Sequence, residues 1–135
     1  MFVTRAGRHD RSDLKEFIES RRGGEVDLTQ GTAMIAREGS IIGCIRLIEL
    51  DPQTLVYDDL FVAESHDDNV AKQLVQAALN NKGGTVYSSV GEGQIELLSS
   101  LGFSIIDRSD APEPVAAYWS THPGPVEDAV HLKAR

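Results

Sequence analysis

The sequence has one cysteine, few aromatic residues and no long apolar run. Cys44 is the only cysteine among 135 residues, so no disulfide can form within the chain. Because Cys44 lies in an apolar segment, we expect it to be a buried, small hydrophobic side chain. No run of about 18 apolar residues occurs, so no transmembrane helix is expected. The first 13 residues (MFVTRAGRHDRSD) lack the apolar core of a signal peptide, and the expected location is the cytoplasm.

Positive charge is also scarce. The chain has 13 Lys and Arg against 21 Asp and Glu, for a net charge of −8. Since nucleic-acid binding requires clustered Lys and Arg, nucleic acid is not an expected partner. An acidic surface would attract a cationic substrate or partner, but keeping the protein soluble is the simpler explanation of the charge. The length predicts a single domain over residues 1–135, large enough for its own core.

Periodicity and turn residues predict a strand, a helix, three strands, a helix, a strand, a helix and two or three final strands. Helices are predicted after Asp10 or Ser12, from Asn69 to Asn80, and from Glu92 to Leu101. Strands are predicted at residues 1–5, 32–37, 40–49, 54–62, 85–90, 103–106 and 128–133. The order combines an antiparallel meander with parallel crossovers, so the predicted class is α/β with a mixed sheet.

Three smaller features accompany this prediction. Glu38-Gly39 is typical of a two-residue hairpin turn. Gly43, inside a strand, indicates a bulge or a close approach of the backbone to another element. The segment VAAYWS at residues 115–120 is interpreted as a short strand or an extended loop, and the two aromatic residues in it are expected to pack in a core or a dimer interface.

Three segments resemble the GNAT superfamily of N-acetyltransferases, which use acetyl-coenzyme A. They are YDDLFV at residues 57–62, GEGQIELLSSLGF at 91–103 and PVEDAVHLKAR at 125–135. The resemblance implies a single-domain GNAT fold, with a mixed, mostly antiparallel sheet of about six or seven strands flanked by three or four helices. It also implies transfer of an acetyl group from acetyl-coenzyme A to an amine, in a family whose members often form homodimers.

The resemblance places the coenzyme A site at the end of the fourth strand and the start of the following helix. The family signature falls on residues 66–71, where Ala71 fits and Asn69 replaces a glycine while still tolerating a left-handed conformation. Asp67 and Asp68 would each oppose the pyrophosphate by about 0.5–1 kcal/mol, or roughly tenfold in affinity together; one of them can instead cap the helix. The implied cofactor-binding residues are Phe61, Val62, Ala63, His66, Asp67, Asp68, Asn69, Val70, Ala71 and Lys72.

The acid at Asp58 is the candidate catalytic base, acting through water, because it matches the acidic position that some family members use. Asp58 and Asp59 are neighbours on one predicted strand and are therefore expected to face opposite sides. The alternative is that one of them pairs with Arg46 or a surface lysine and the other is solvated. Leu98 falls where the family places a tyrosine that protonates the departing thiolate. The four histidines have no metal-ligand spacing, so no metal site is predicted.

Two functions stay open at this point. The first is an atypical N-acetyltransferase acting on a small amine, a peptide or a protein. The second is a catalytically silent GNAT-fold module that senses coenzyme A or binds a protein partner. Only about a dozen residues separate Ile18 from the second strand, so a second helix must be short or absent, which predicts an open acceptor site.

Overall fold

Seven strands and four α-helices are found in a computed structural model that describes residues 2–29, 31–63, 68–80, 84–90, 92–121 and 130–134. The strands are β1 (Phe2–Arg5), β2 (Thr32–Glu38), β3 (Ser40–Asp51), β4 (Thr54–Val62), β5 (Thr85–Val90), β6 (Ser104–Ile106) and β7 (Val130–Ala134). The helices are α1 (Arg11–Arg22), α2 (Asp68–Asn80), α3 (Ile95–Ser100) and α4 (Glu113–Thr121), with short 3₁₀ turns at Arg8–Asp10, Glu92–Gln94 and Arg108–Asp110.

The strands form one mixed sheet in the order β1-β2-β3-β4-β5-β7-β6. Residues 54–56 of β4 pair in parallel with residues 85–87 of β5. The β1–β2, β2–β3, β5–β7 and β6–β7 pairs are antiparallel. This confirms the predicted mixed, mostly antiparallel sheet, and β4 and β5 have the predicted bounds. The number of domains stays a prediction.

The interpretation of residues 115–120 as a strand or loop is wrong, because they belong to α4. Val115, Tyr118 and Trp119 are buried, and their i, i+3 and i+4 spacing is that of one helix face. The N–H groups of Val115 and Ala116 both donate to the carbonyl of Pro112, each at 3.0 Å. Pro114 lies in the first turn of α4, where the N–H that proline lacks would have no partner within the helix. Tyr118 and Trp119 therefore pack in a core, as expected for them.

Two compact units make up the chain, and each has its own packing. The first comprises Met1–Ile48 and Asp58–Lys82. There, α1 buries Leu14, Phe17 and Ile18 in a cluster with Ile35 and Cys44. Gly23 follows the last residue of α1, and its left-handed φ of 79° suits that position. Between α1 and β2, described residues 23–29 and 31 contain a turn and no helix, as the short spacing predicted.

The second unit comprises Glu49–Tyr57 and Gly83–Arg135. Tyr57 and Phe103 meet edge-to-face, with ring centroids 5.9 Å apart. The N–H of Phe103 donates to the carbonyl of Leu98, and Gly102 between them has a φ of 99°, which is the geometry of a Schellman cap. Leu98 is fully buried, so this position belongs to the packing of the second unit.

Gly43 is a position in the first unit where α2 packs closely against the sheet. The β2–β3 register shifts between Ala36 and Arg37, which is the bulge predicted at this point of the strand. A Cβ on Gly43 would lie 2.9 Å from Leu74 Cδ1, 3.2 Å from Val70 Cγ1 and 3.3 Å from the Phe61 carbonyl oxygen. Since no larger residue fits between strand and helix without a shift, the predicted close approach is also confirmed.

We expect Gly43→Ala to lower the free energy of unfolding by about 1–3 kcal/mol, because the added methyl group overpacks the contact with α2. Gly24→Ala is the matched control, since a Cβ there meets nothing within 4 Å, and it should change stability by less than about 0.5 kcal/mol. Urea unfolding of both variants measures the difference. Equal stability of Gly43→Ala and the parent would contradict the packing described for α2.

Candidate functional site

Asp59 in β4 is the buried acid around which the candidate site is built. Its φ of 52° is left-handed, which is uncommon for a residue with a side chain, although aspartate tolerates it better than most. Only 7% of the residue is exposed. Arg46 Nη1 of β3 lies 2.8 Å from Asp59 Oδ2, and Arg22 Nη1 at the end of α1 lies 3.6 Å from the same oxygen.

The backbone of Asp59 is held by two further side-chain contacts. The Cys44 thiol donates to the Asp59 carbonyl at 3.3 Å, and the Asp59 N–H donates to Asp58 Oδ1 at 2.8 Å. Burial raises the pKa of the Cys44 thiol to about 12. The sulfur therefore keeps its proton, acts as a hydrogen-bond donor and is not a nucleophile. This confirms the expectation that Cys44 is a buried side chain.

Burial also raises the pKa of Asp59, and the neighbouring Asp58 carboxylate adds to the rise. Arg46 and Arg22 oppose it by favouring the charged form. Arg46 makes a second contact through Nη2, which donates to the Asp27 carbonyl at 2.9 Å. A single guanidinium therefore links β3, β4 and the segment before β2.

The sequence left two roles open for the aspartate pair, a catalytic base and an ion pair with Arg46. The ion pair is confirmed, and its acid is Asp59. Asp58 is half-buried in β4, and its role as a base stays a prediction. That the two side chains face opposite sides stays a prediction, and the left-handed φ of Asp59 is an irregularity in the strand. The alternation of side chains along a strand does not predict a left-handed residue. The only indication in the sequence is that aspartate tolerates this conformation better than most residues.

The structure describes only some of the predicted cofactor-binding residues, at the end of β4 and in α2. His66 and Asp67 are outside the described residues, and Asp68 begins α2, where its side chain is not described. The remaining side chains divide by burial: Val70 and Ala71 are buried, Phe61, Val62 and Ala63 are half-buried, and Asn69 and Lys72 are exposed.

The Ala63 N–H donates to the Ile42 carbonyl at 2.8 Å, so this group is already used within the sheet. The predicted contact of Ala63 with the cofactor stays a prediction, and it would fall to the carbonyl of this residue. The Phe61 carbonyl and the Val70 side chain both lie within 3.3 Å of one point, the position of a Cβ on Gly43. The first turn of α2 is thus held beside the end of β4.

Metal ligands and membrane spans were both sought in the described residues. No group of three or more His, Cys, Asp or Glu side chains there could hold a metal ion. No helix among them is both long and apolar enough to cross a membrane.

Comparison with known proteins gives matches among solved structures. No family model matches the sequence, and no curated protein matches it. N-acetylglutamate synthase from Neisseria gonorrhoeae, solved with coenzyme A and N-acetyl-glutamate, is similar at a TM-score of 0.74 and 14% identity. The match covers the whole of this chain and 35% of that one, so this chain spans about a third of the synthase.

Two smaller proteins match over nearly their full length. A GNAT-family acetyltransferase from Staphylococcus aureus has a TM-score of 0.69 and 20% identity, with 98% of this chain and 97% of that one covered. A GNAT-family acetyltransferase from Elizabethkingia anophelis with acetyl-CoA bound has a TM-score of 0.62 and 22% identity, with the same coverage. The chain therefore has the fold of GNAT-family acetyltransferases, which confirms the resemblance found in the sequence.

We expect Arg46→Gln to lower the free energy of unfolding by about 3–5 kcal/mol at neutral pH, because it leaves the buried Asp59 carboxylate without its main partner. Since the folded-state pKa of Asp59 lies above its ordinary 3.8, the carboxyl loses its charge as pH falls through that raised value. The cost of the substitution should shrink over the same range. Denaturant unfolding at several pH values measures this.

Two variants serve as controls for that measurement. Arg108→Gln removes an exposed arginine whose side chain donates a hydrogen bond to the Ser120 hydroxyl. This substitution should change the free energy of unfolding by less than about 0.5 kcal/mol. Arg46→Met with Asp59→Asn removes both charges and should be more stable than Arg46→Gln. A pH-independent cost, or a double variant less stable than the single one, would contradict the ion-pair account.

Proposed function

We propose that this chain, with its GNAT acetyltransferase fold, transfers an acetyl group from acetyl-coenzyme A to an amine. The observation that carries the proposal is the contact at Gly43, which holds the first turn of α2 beside the end of β4. A helix N-terminus presents N–H groups that have no partner within the helix and carries a partial positive charge. Such an end is suited to a pyrophosphate.

The cofactor would lie along elements of the first unit. Its pyrophosphate would approach the N–H groups of Asp68, Asn69 and Val70 at the start of α2. Its pantetheine amides would pair with backbone groups of Phe61 and Val62, in the manner of an added strand. The proteins from Neisseria and Elizabethkingia that share the fold were solved with coenzyme A and acetyl-CoA, respectively, which supports this choice of cofactor.

The reaction requires few protein groups. The acceptor amine gives up a proton to Asp58 through a water molecule, and its nitrogen then attacks the thioester carbonyl. A C–N bond forms, the C–S bond breaks, and the thiolate leaves and takes up a proton. A carboxylate accepting the amine proton is general-base catalysis, whose usual contribution is about 10²–10⁴-fold in rate.

Asp59 would act on this chemistry indirectly. Its carboxylate is held by Arg46 and lies next to Asp58 in the chain, and its own N–H orients Asp58 Oδ1. The ion pair would therefore position the base. A cytoplasmic location and a homodimer remain predictions.

A second function is favoured by Leu98, which is fully buried. A leucine cannot supply a proton to the thiolate, so this chain lacks the tyrosine hydroxyl that the family places at this position. Together with Asp67 and Asp68 in the signature, this supports a module that binds coenzyme A or a protein partner without acetyl transfer.

We expect Asp67→Gly with Asp68→Lys to bind acetyl-coenzyme A about tenfold more tightly, because two charges that oppose the pyrophosphate are removed and one cation is added. Asp107→Gly with Asp110→Lys makes the same charge change at an exposed 3₁₀ turn and should leave affinity nearly unchanged. Calorimetric titration measures both. Equal tightening by the two variants would mean that net charge alone acts, and the assigned pyrophosphate position would be wrong.

Acetyl transfer to a panel of amines and peptides then separates the two functions. Asp58→Asn should lower the transfer rate by about 10²-fold or more while leaving acetyl-coenzyme A binding unchanged. Binding without any transfer by the parent protein would favour the silent module.

A further inference from the structure

A cavity of about 230 Å³ lies in the first unit, apart from the proposed coenzyme A positions. It is formed by the end of β1, the 3₁₀ turn before α1, the first turns of α1 and the start of β2. Arg5, Arg8, Arg11 and Arg46 line it, and no Asp or Glu does. Ligand pockets for larger molecules are commonly about 300–1,000 Å³, so this cavity suits a small ligand.

The arginines of the cavity differ from the other arginines of the chain. The described part of the chain contains eight arginines. Five have a side-chain hydrogen bond or ion pair: Arg21, Arg22, Arg37, Arg46 and Arg108. The other three are Arg5, Arg8 and Arg11, for which no ion pair or side-chain hydrogen bond is found among the described residues. All three line this cavity.

Nearby carboxylates do not neutralise these three arginines. Asp10 accepts the Gly7 N–H at 2.8 Å and pairs with Arg37. The Gly7 hydrogen bond is the main reason why the pKa of Asp10 is lowered. The Asp27 carboxylate accepts the Thr29 N–H at 2.9 Å and its hydroxyl at 2.5 Å. Three exposed arginines thus line one cavity in a protein whose net charge is −8.

Arg46 connects the cavity to the acidic pair of β4. It lines the cavity and also holds Asp59 at 2.8 Å, and Asp59 follows Asp58 in the chain. Arg46 therefore joins the cavity to Asp59, the neighbour of Asp58, to which the proposed function assigns the amine. The apolar walls, Ala6, Leu14, Leu28 and Ala33, suit a short methylene chain.

We propose that Arg5, Arg8 and Arg11 bind the carboxylate of the acceptor, so that the acceptor is a small amine that carries a carboxyl group. Guanidinium groups are planar forks that match a carboxylate with two parallel hydrogen bonds. Recognition of this charge would also offset the general repulsion that an acidic protein exerts on an anion. The identity of the ligand as acceptor rests on the proposed function, whereas its binding in the cavity does not.

The test is calorimetric titration without acetyl-coenzyme A, using 4-aminobutyrate, glutarate, n-butylamine and inorganic phosphate as probes. We expect 4-aminobutyrate and glutarate to bind, n-butylamine not to bind, and phosphate to bind more weakly than glutarate. Arg5→Gln, Arg8→Gln and Arg11→Gln should each weaken glutarate binding about threefold to tenfold. Arg108→Gln makes the same charge change at an exposed site outside the cavity and should have no effect. Acetyl-coenzyme A affinity of all four variants should equal that of the parent.

The outcomes separate this inference from the proposed function. No glutarate binding by a protein that binds acetyl-coenzyme A overturns the inference and leaves acetyl transfer standing. Glutarate binding that requires the three arginines, in a protein that binds no acetyl-coenzyme A, supports the site and contradicts the transferase. Tighter binding of phosphate than of glutarate, or equal loss in Arg108→Gln, overturns the assignment to a carboxylate.

Discussion

The buried ion pair between Arg46 and Asp59 is the interaction on which the first unit depends most. Removing two charges from water costs several kcal/mol per ion, and the attraction between them offsets this only with good geometry. Here the geometry is supported by Arg22, by the Asp27 carbonyl and by the Cys44 thiol. The pair therefore fixes the relative positions of β3, β4, the end of α1 and the segment before β2.

This pair also determines what the candidate site can do. Holding Asp59 in a left-handed conformation costs of order 1–3 kcal/mol, and such a residue persists only where its surroundings enforce it. The N–H of this residue donates to Asp58 Oδ1, which orients the candidate base. On its other side, Arg46 borders the arginine-lined cavity. The Arg46 guanidinium thus lies between the acidic pair that contains the candidate base and the cavity that we assign to acceptor binding.

Much of the fold could be predicted from the sequence, because its signals are local. The bounds of β4 and β5 follow from apolar runs ended by turn residues, and the bulge at Gly43 follows from a glycine within a strand. The helix α4 was missed because a nine-residue segment with Pro112 just before it and Pro114 at its second position resembles an extended loop. Its buried residues, Val115, Tyr118 and Trp119, did carry the helical spacing.

The candidate site could be predicted only in part. The pairing of an aspartate with Arg46 was open to prediction because opposite charges lay on neighbouring strands. The left-handed backbone of Asp59 was not, since no pattern of side chains encodes a single residue of this kind. Arg5, Arg8 and Arg11 come from a strand end, a 3₁₀ turn and a helix start, so only the folded chain brings them to one cavity.

The measurement that tests the central claim most directly is an amide chemical-shift map of the ¹⁵N-labelled protein titrated with coenzyme A. The proposed function predicts that the largest shifts fall on Val62, Asn69 and Val70, at the end of β4 and the start of α2, while α4 and β6 stay unchanged. Shifts confined to α4 or β6, or none at a saturating ligand concentration, would contradict a coenzyme A site on these elements.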